Sequence, residues 1–187
     1  MHIEKNVCES IIETLMNTSE KTKDNLKSRL DLQVMGIKKE LHPIPCGEYL
    51  ELPFACYTLS INEQFFFFCK FLKEVKFPNG YSSNIARCVN LKSRKISGLK
   101  SHDFHILLEI LLPLAIDGLL LEEVFALVST PLIELSSFFK ALYSKVLSVD
   151  DLEKMEYQIV IALCLLERIF FPSFFCYYDA FTYSLSW

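Results

Sequence analysis

The chain has 187 residues, 51% of them apolar and 16 of them Phe, enough to bury a real core as one large or two small domains. Its seven cysteines are odd in number and scattered, without a Cys-x-x-Cys, which argues against a disulfide framework or a zinc knuckle. Five Gly and no P-loop, dinucleotide fingerprint or Ser-centred elbow leave no motif for a small-molecule substrate or cofactor, and the polar, charged opening lacks a secretory signal. Reduced thiols in the nucleus or cytoplasm, not a secreted protein, are the expectation.

Taken in order, Ile3, Val7, Ile11 and Leu15 recur every four residues and predict an amphipathic helix. On it, Glu4 and Glu9 fall on the polar, solvated side, and Cys8 packs in the core, since no base is identified beside it as a nucleophile would need. Lys23 to Val34 predicts a second helix with Leu26, Leu30 and Val34 on its buried face, closed by Gly36 in a left-handed cap. Three prolines and a glycine predict a loop over residues 42–57, with one extended piece near Tyr49 to Leu52. Ser60 and Glu63 have capping-box spacing for a helix from Ile61 to about Val75, which holds the run Phe65-Phe66-Phe67-Phe68.

Pro78-Asn79-Gly80 predicts a turn, and Ser83 to Leu91 a short helix before the basic tract Lys92-Ser93-Arg94-Lys95. Ser101 is placed to cap the next helix, with Asp103 in its first turn and Pro113 ending or kinking it. Further helices are predicted at Leu121 to Val128, at Pro131 to Val146 with the proline at the first helical position, and at Val149 to Phe171 behind the Ser148/Asp151 capping box. The sum is an all-α fold, a multi-helix orthogonal bundle with long loops around 40–60 and 76–100. The best internal boundary lies at the composition shift near residues 98–101.

Net charge is −4 but uneven: residues 70–100 hold eight Lys/Arg against Glu74 alone, and residues 101–187 hold four against twelve Asp/Glu. Lys92, Arg94, Lys95 and Lys100 are therefore candidates for non-specific, salt-sensitive contacts with DNA phosphates, a solvated loop being the plainer reading. No reading head for base-specific recognition accompanies them. His102, Asp103 and His105 form the one cluster suggestive of a metal. Two histidines at i and i+3 share a helix face, yet no Cys or third His stands nearby and zinc wants three or four protein ligands, so no metal is assigned. The apolar runs Ile106 to Leu121 and Ile159 to Tyr178 are interrupted by charges and prolines, so buried helices are expected over a membrane span.

Several blocks stand in a specific order: Met1-His2-Ile3-Glu4-Lys5-Asn6-Val7-Cys8, Lys21-Thr22-Lys23-Asp24, Arg29-Leu30-Asp31-Leu32 and Met35-Gly36-Ile37-Lys38-Lys39-Glu40-Leu41. Then come Leu52-Pro53, Ala55-Cys56-Tyr57-Thr58-Leu59, Gly80-Tyr81-Ser82-Ser83-Asn84-Ile85 and Gly98-Leu99-Lys100-Ser101-His102-Asp103 with His105. Leu112-Pro113, Phe138-Phe139 and Phe171-Pro172-Ser173-Phe174-Phe175 complete the series. In this order the blocks resemble the transposases of plant CACTA (En/Spm-type) DNA transposons over roughly residues 1 to 175. The resemblance implies residues 1–100 as a remnant of the transposase core region. It implies residues 101–187 as the trailing helical domain of unknown function, with a divergent tail at 176–187 where a further apolar, His-containing helix is expected.

It also implies an RNase H-type parent whose Asp-Asp-Glu carboxylates hold two Mg²⁺ ions. His2 matches the His of the family's Asp-x-Met-His motif; the Asp itself would precede Met1, and neither Glu4 nor Glu9 is assigned as the third acid. The expected function is thus a truncated, transposon-derived protein without catalysis or cofactor of its own, serving as a DNA-associated or assembly module. Its partners would be DNA, the remainder of a transposase, or a second copy. The alternatives are the back part of an active metal-dependent transposase whose upstream exons are missing, and a membrane-associated helical protein.

Overall fold

The computed structural model describes residues 2–19, 21–64, 70–76, 84–93, 95–117, 122–144 and 146–171. The predicted Phe65–Phe68 run, the turn at residues 78–80, Arg94 and the tail lie outside them. The architecture is mainly helical, with two small antiparallel hairpins. In chain order it runs α1 (His2–Leu15), α2 (Leu26–Met35), β1 (Ile44–Cys46), β2 (Tyr49–Glu51), α3 (Ile61–Glu63), α4 (Leu72–Glu74), β3 (Val89–Asn90), β4 (Lys95–Ile96), α5 (Ser101–Ile106), α6 (Leu112–Asp117), α7 (Glu122–Leu142) and α8 (Val149–Ile169). Short 3-10 turns sit at Lys39–Leu41 and Ile85–Cys88, and a π-helical turn at Leu107–Leu111 joins α5 to α6.

The core is one contiguous cluster that takes Val7, Ile11 and Leu15 from α1, Phe104 and Leu108 from the α5 region, Leu135 and Phe139 from α7, and Ile159, Leu163 and Leu166 from α8. α1 packs on α5, and α7 packs on both α8 and the α5–α6 junction. Elements on either side of the composition shift at residues 98–101 therefore share this core.

The predicted caps at Gly36, Ser60 and Ser148 form, and Asn25 supplies one that was not predicted. Asn25 Oδ1 accepts from the Ser28 amide at 3.1 Å and opens α2, while Gly36 ends it at φ 70°. Ser60 and Glu63 make reciprocal bonds of 3.4 and 2.6 Å. Ser148 and Asp151 do the same for α8 at 3.1 and 3.2 Å. The extended piece near Tyr49 is one arm of a hairpin, Ile44 pairing with Glu51 and Cys46 with Tyr49 around Gly47 at φ 65°. Residues 84–91 fold not as an α-helix but as the Ile85–Cys88 3-10 turn leading into β3.

Two prolines act differently from a simple break. Pro131 does not start a helix: α7 runs through it as one 21-residue element. Val128, Leu132, Leu135 and Phe139 lie on its buried face on both sides of the proline, and this continuous burial outweighs the lost hydrogen bond. Pro113 does not end the helix; it falls in the first turn of α6, directly after a π-helical turn that adjusts the backbone.

α2 reverses its predicted face. Leu26, Leu30 and Val34 are exposed, Val34 at 88%, while Ser28, Arg29 and Leu32 are buried. The reason is an ion network. Arg29 pairs with Asp24 through Nε and Nη2 at 2.5 and 2.6 Å and donates from Nη1 to the Leu41 carbonyl at 3.0 Å. The Tyr57 hydroxyl donates to Asp24 at 2.9 Å, and the guanidinium lies 5.7 Å from the Phe171 ring centroid. A guanidinium satisfied on several sides can be buried, and here it orients the helix. Among the described residues, no helix is long and apolar enough to cross a membrane.

Candidate functional site

The basic segment forms a hairpin. β3 and β4 pair Val89 with Ile96 and Asn90 with Lys95, and Asn90 Oδ1 accepts from the Lys92 and Ser93 amides at 3.0 and 3.1 Å. This local turn holds Lys92 at the hairpin tip. Lys92, Lys95 and Lys100 are all exposed, as is Arg87 in the preceding 3-10 turn. Beside the hairpin a concavity of about 450 Å³ is lined by residues that include Lys73, Arg87, Asn90, Lys92 and Ser97. A second concavity of about 380 Å³ is lined by residues that include Glu13, Lys21, Asn90, Ser93, Lys95 and Ser97. Lys73 is partly engaged, its Nζ donating to the Ala86 carbonyl at 2.8 Å. The remaining cations present positive charge to solvent without base-reading geometry, so the arrangement suits phosphate contact.

A second cluster was only partly foreseen. Glu4, expected on the solvated side of α1, is instead fully buried. α1 is covered by α5, and the carboxylate finds partners there and on the chain following α7. His105 Nδ1 lies 2.7 Å from Glu4 Oε1, and the Tyr143 hydroxyl donates to Glu4 Oε2 at 3.1 Å. The other imidazole nitrogen, Nε2, lies 3.4 Å from Glu109 Oε1. The His105 and Tyr143 rings meet edge-on with centroids 4.7 Å apart. Burial, then the Glu4 carboxylate, pushes the Tyr143 hydroxyl up to about 12. Burial raises the Glu109 carboxyl as well, with nearby Glu4 adding to the rise and His105 opposing it.

His102 is exposed, its ring stacked near that of His105 at a centroid distance of 6.4 Å. Asp103 does not join the histidines. It turns inward, fully buried, and its Oδ2 accepts the Lys100 amide at 2.7 Å at the start of α5. That places the cap at Lys100, one residue before the expected Ser101, with Asp103 supplying the acceptor. Glu109 and Tyr143 carried no sequence signal: they sit 105 and 139 residues from Glu4, in ordinary apolar surroundings.

His2 is the first residue of α1, and its side chain lies outside the described set. Glu9 makes a surface ion pair with Lys5 at 3.8 Å. Cys8 is fully buried, and burial, then Glu4 and Glu9, holds its thiol well above the ordinary range, so it stays protonated and packs as an apolar group. Among the described residues, no three His, Cys, Asp or Glu side chains form a group that could hold a metal ion.

Compared with known families, residues 142–182 match the domain of unknown function DUF4218, which is found in plant transposase-like proteins. The match spans α8 and the segments flanking it. Neither the curated proteins nor the solved structures yield a match to this chain.

Proposed function

We propose that this chain is a transposon-derived protein, similar to part of a CACTA-type DNA transposase, that acts as a DNA-associated or assembly module without chemistry of its own. The match at residues 142–182 supports the transposon link, and the ordered blocks along residues 1 to 175 support its finer assignment. The observation that carries the DNA reading is the basic hairpin. Arg87, Lys92, Lys95 and Lys100 are exposed on one short stretch; Arg87 and Lys92 rim one concavity and Lys95 another, and the two share Asn90 and Ser97. Such an array neutralises backbone phosphates and releases counterions, which gives sequence-independent, salt-sensitive affinity.

The test is fluorescence anisotropy of the purified chain with a labelled DNA duplex over a salt series. Binding should weaken linearly in log–log form, with a slope of about −0.9 per phosphate neutralised. Replacing Arg87, Lys92, Lys95 and Lys100 together by Ala should flatten that slope and weaken binding to unrelated duplexes equally. Absent binding, or binding indifferent to salt, refutes the DNA reading.

A further inference from the structure

The concavity of about 380 Å³ beside Lys95 continues into a smaller one of about 190 Å³, since Ile12, Glu13, Lys21, Ile96 and Ser97 line both. Together they form a groove with α1 on one side and the β3–β4 hairpin on the other. Its larger part alone falls in the range of small-ligand sites, about 300–1,000 Å³. The smaller part is lined by the apolar groups Ile12, Ile96, Leu99 and Phe104, and by the carboxylates of Glu9 and Glu13. Glu13 holds Lys21 through Oε1 at 3.1 Å, and its Oε2 has no hydrogen-bond partner among the described residues. An apolar slot with an acceptor in its wall therefore adjoins the cations of the hairpin. The carboxylates repel phosphate, so the slot itself does not suit the DNA backbone. It suits a neutral ring with apolar faces and N–H groups on its edge, carried on an anionic chain. An unpaired nucleobase has that chemistry, whereas a duplex keeps its bases stacked and paired.

We propose that this groove takes an unstacked base of single-stranded DNA, its faces against Ile96, Leu99 and Phe104, its amino edge donating to Glu13, and a flanking phosphate on Lys95. The inference rests on the DNA reading above and narrows it to single strands. Burying the base in the apolar slot supplies affinity that phosphate contacts alone do not. The acceptor supplies a preference among bases. Adenine and cytosine each carry an exocyclic amino group with hydrogens to give. Thymine offers one N–H between two carbonyls, and a carboxylate repels those carbonyls.

The probes are labelled oligo(dA), oligo(dC) and oligo(dT) strands and a duplex of equal length, titrated with the full chain at one salt concentration and read by anisotropy. Oligo(dA) and oligo(dC) should bind about 10-fold more tightly than the duplex and than oligo(dT). A strand carrying 2-aminopurine should brighten on binding, as the base leaves its stack. Glu13→Gln removes a negative charge and should raise affinity for every strand. It should also narrow the ratio of oligo(dA) to oligo(dT) affinity, which a purely electrostatic role would leave unmoved. Ser97 is exposed and lines both parts of the groove, so Ser97→Leu should bring the single-strand-to-duplex ratio toward one. Circular dichroism checks that both variants fold. A duplex bound as tightly as oligo(dA), oligo(dT) bound as tightly as oligo(dA), or ratios unmoved in both variants would overturn the base site while leaving the salt-sensitive DNA reading standing. No binding to any strand or duplex overturns both.

Discussion

The Ser136 hydroxyl donates to the Glu109 carbonyl at 2.9 Å. Glu109 is the residue four positions before Pro113, whose ring nitrogen has no hydrogen to offer that carbonyl. A side chain of α7 thus serves the backbone where the α5–α6 junction cannot serve itself, and it does so beside the His105 cluster. Ser136→Ala should destabilise the fold by about 1 kcal/mol, because it removes a part-buried hydrogen bond. Chemical denaturation of the variant checks this. A midpoint equal to that of the native chain would mean that the carbonyl has another partner.

The Arg29–Asp24–Tyr57 network makes a graded prediction. Arg29→Met leaves the Asp24 carboxylate, 8% exposed, without its cation and should cost about 3–5 kcal/mol. Tyr57→Phe keeps the ring on Phe170 and Phe171 and loses one hydrogen bond, about 1–2 kcal/mol. Exchanging both Asp24 and Arg29 for apolar residues should recover much of the loss. Denaturation midpoints that rank the three variants otherwise would show that the network does not orient α2.

Lys38 provides a pH-dependent marker. Its Nζ donates to the Glu167 carbonyl at 2.8 Å and to that of Phe170, closing the end of α8 from the opposite end of the chain. Burial lowers its pKa to about 8. The unfolded chain, near the ordinary lysine value of about 10.4, then binds more protons than the folded chain between these two values. Stability from this group therefore rises with pH across that window and is flat below about 8. In an NMR titration of labelled lysines, the Lys38 signal should move near pH 8 while exposed lysines move near their ordinary value.

Gly36 sits at φ 70° with no atom near the place a Cβ would take. Gly36→Ala should cost about 1–2 kcal/mol from backbone conformation alone. Gly36→Asn should cost less, because Asn tolerates the left-handed region. Thermal melts of the pair against the native chain test both.

The caps at Ser60 and Ser148, the main helix-forming stretches and the left-handed stop at Gly36 were determined by sequence alone, because each depends on groups within a few residues of one another. The exposure of the Lys92, Lys95 and Lys100 side chains was legible for the same reason: charges on a short polar loop stay in water. What tertiary structure decided was burial. Glu4 lies inside because His105 and Tyr143 come to it from 101 and 139 residues away. α2 turns Arg29 inward, and Leu26, Leu30 and Val34 outward, because Asp24, Tyr57 and the Leu41 carbonyl satisfy the guanidinium. α7 crosses Pro131 because its apolar face is covered on both sides. Periodicity reports only the average preference of a side chain for water. Whether a particular charge can leave water depends on partners that the fold alone delivers.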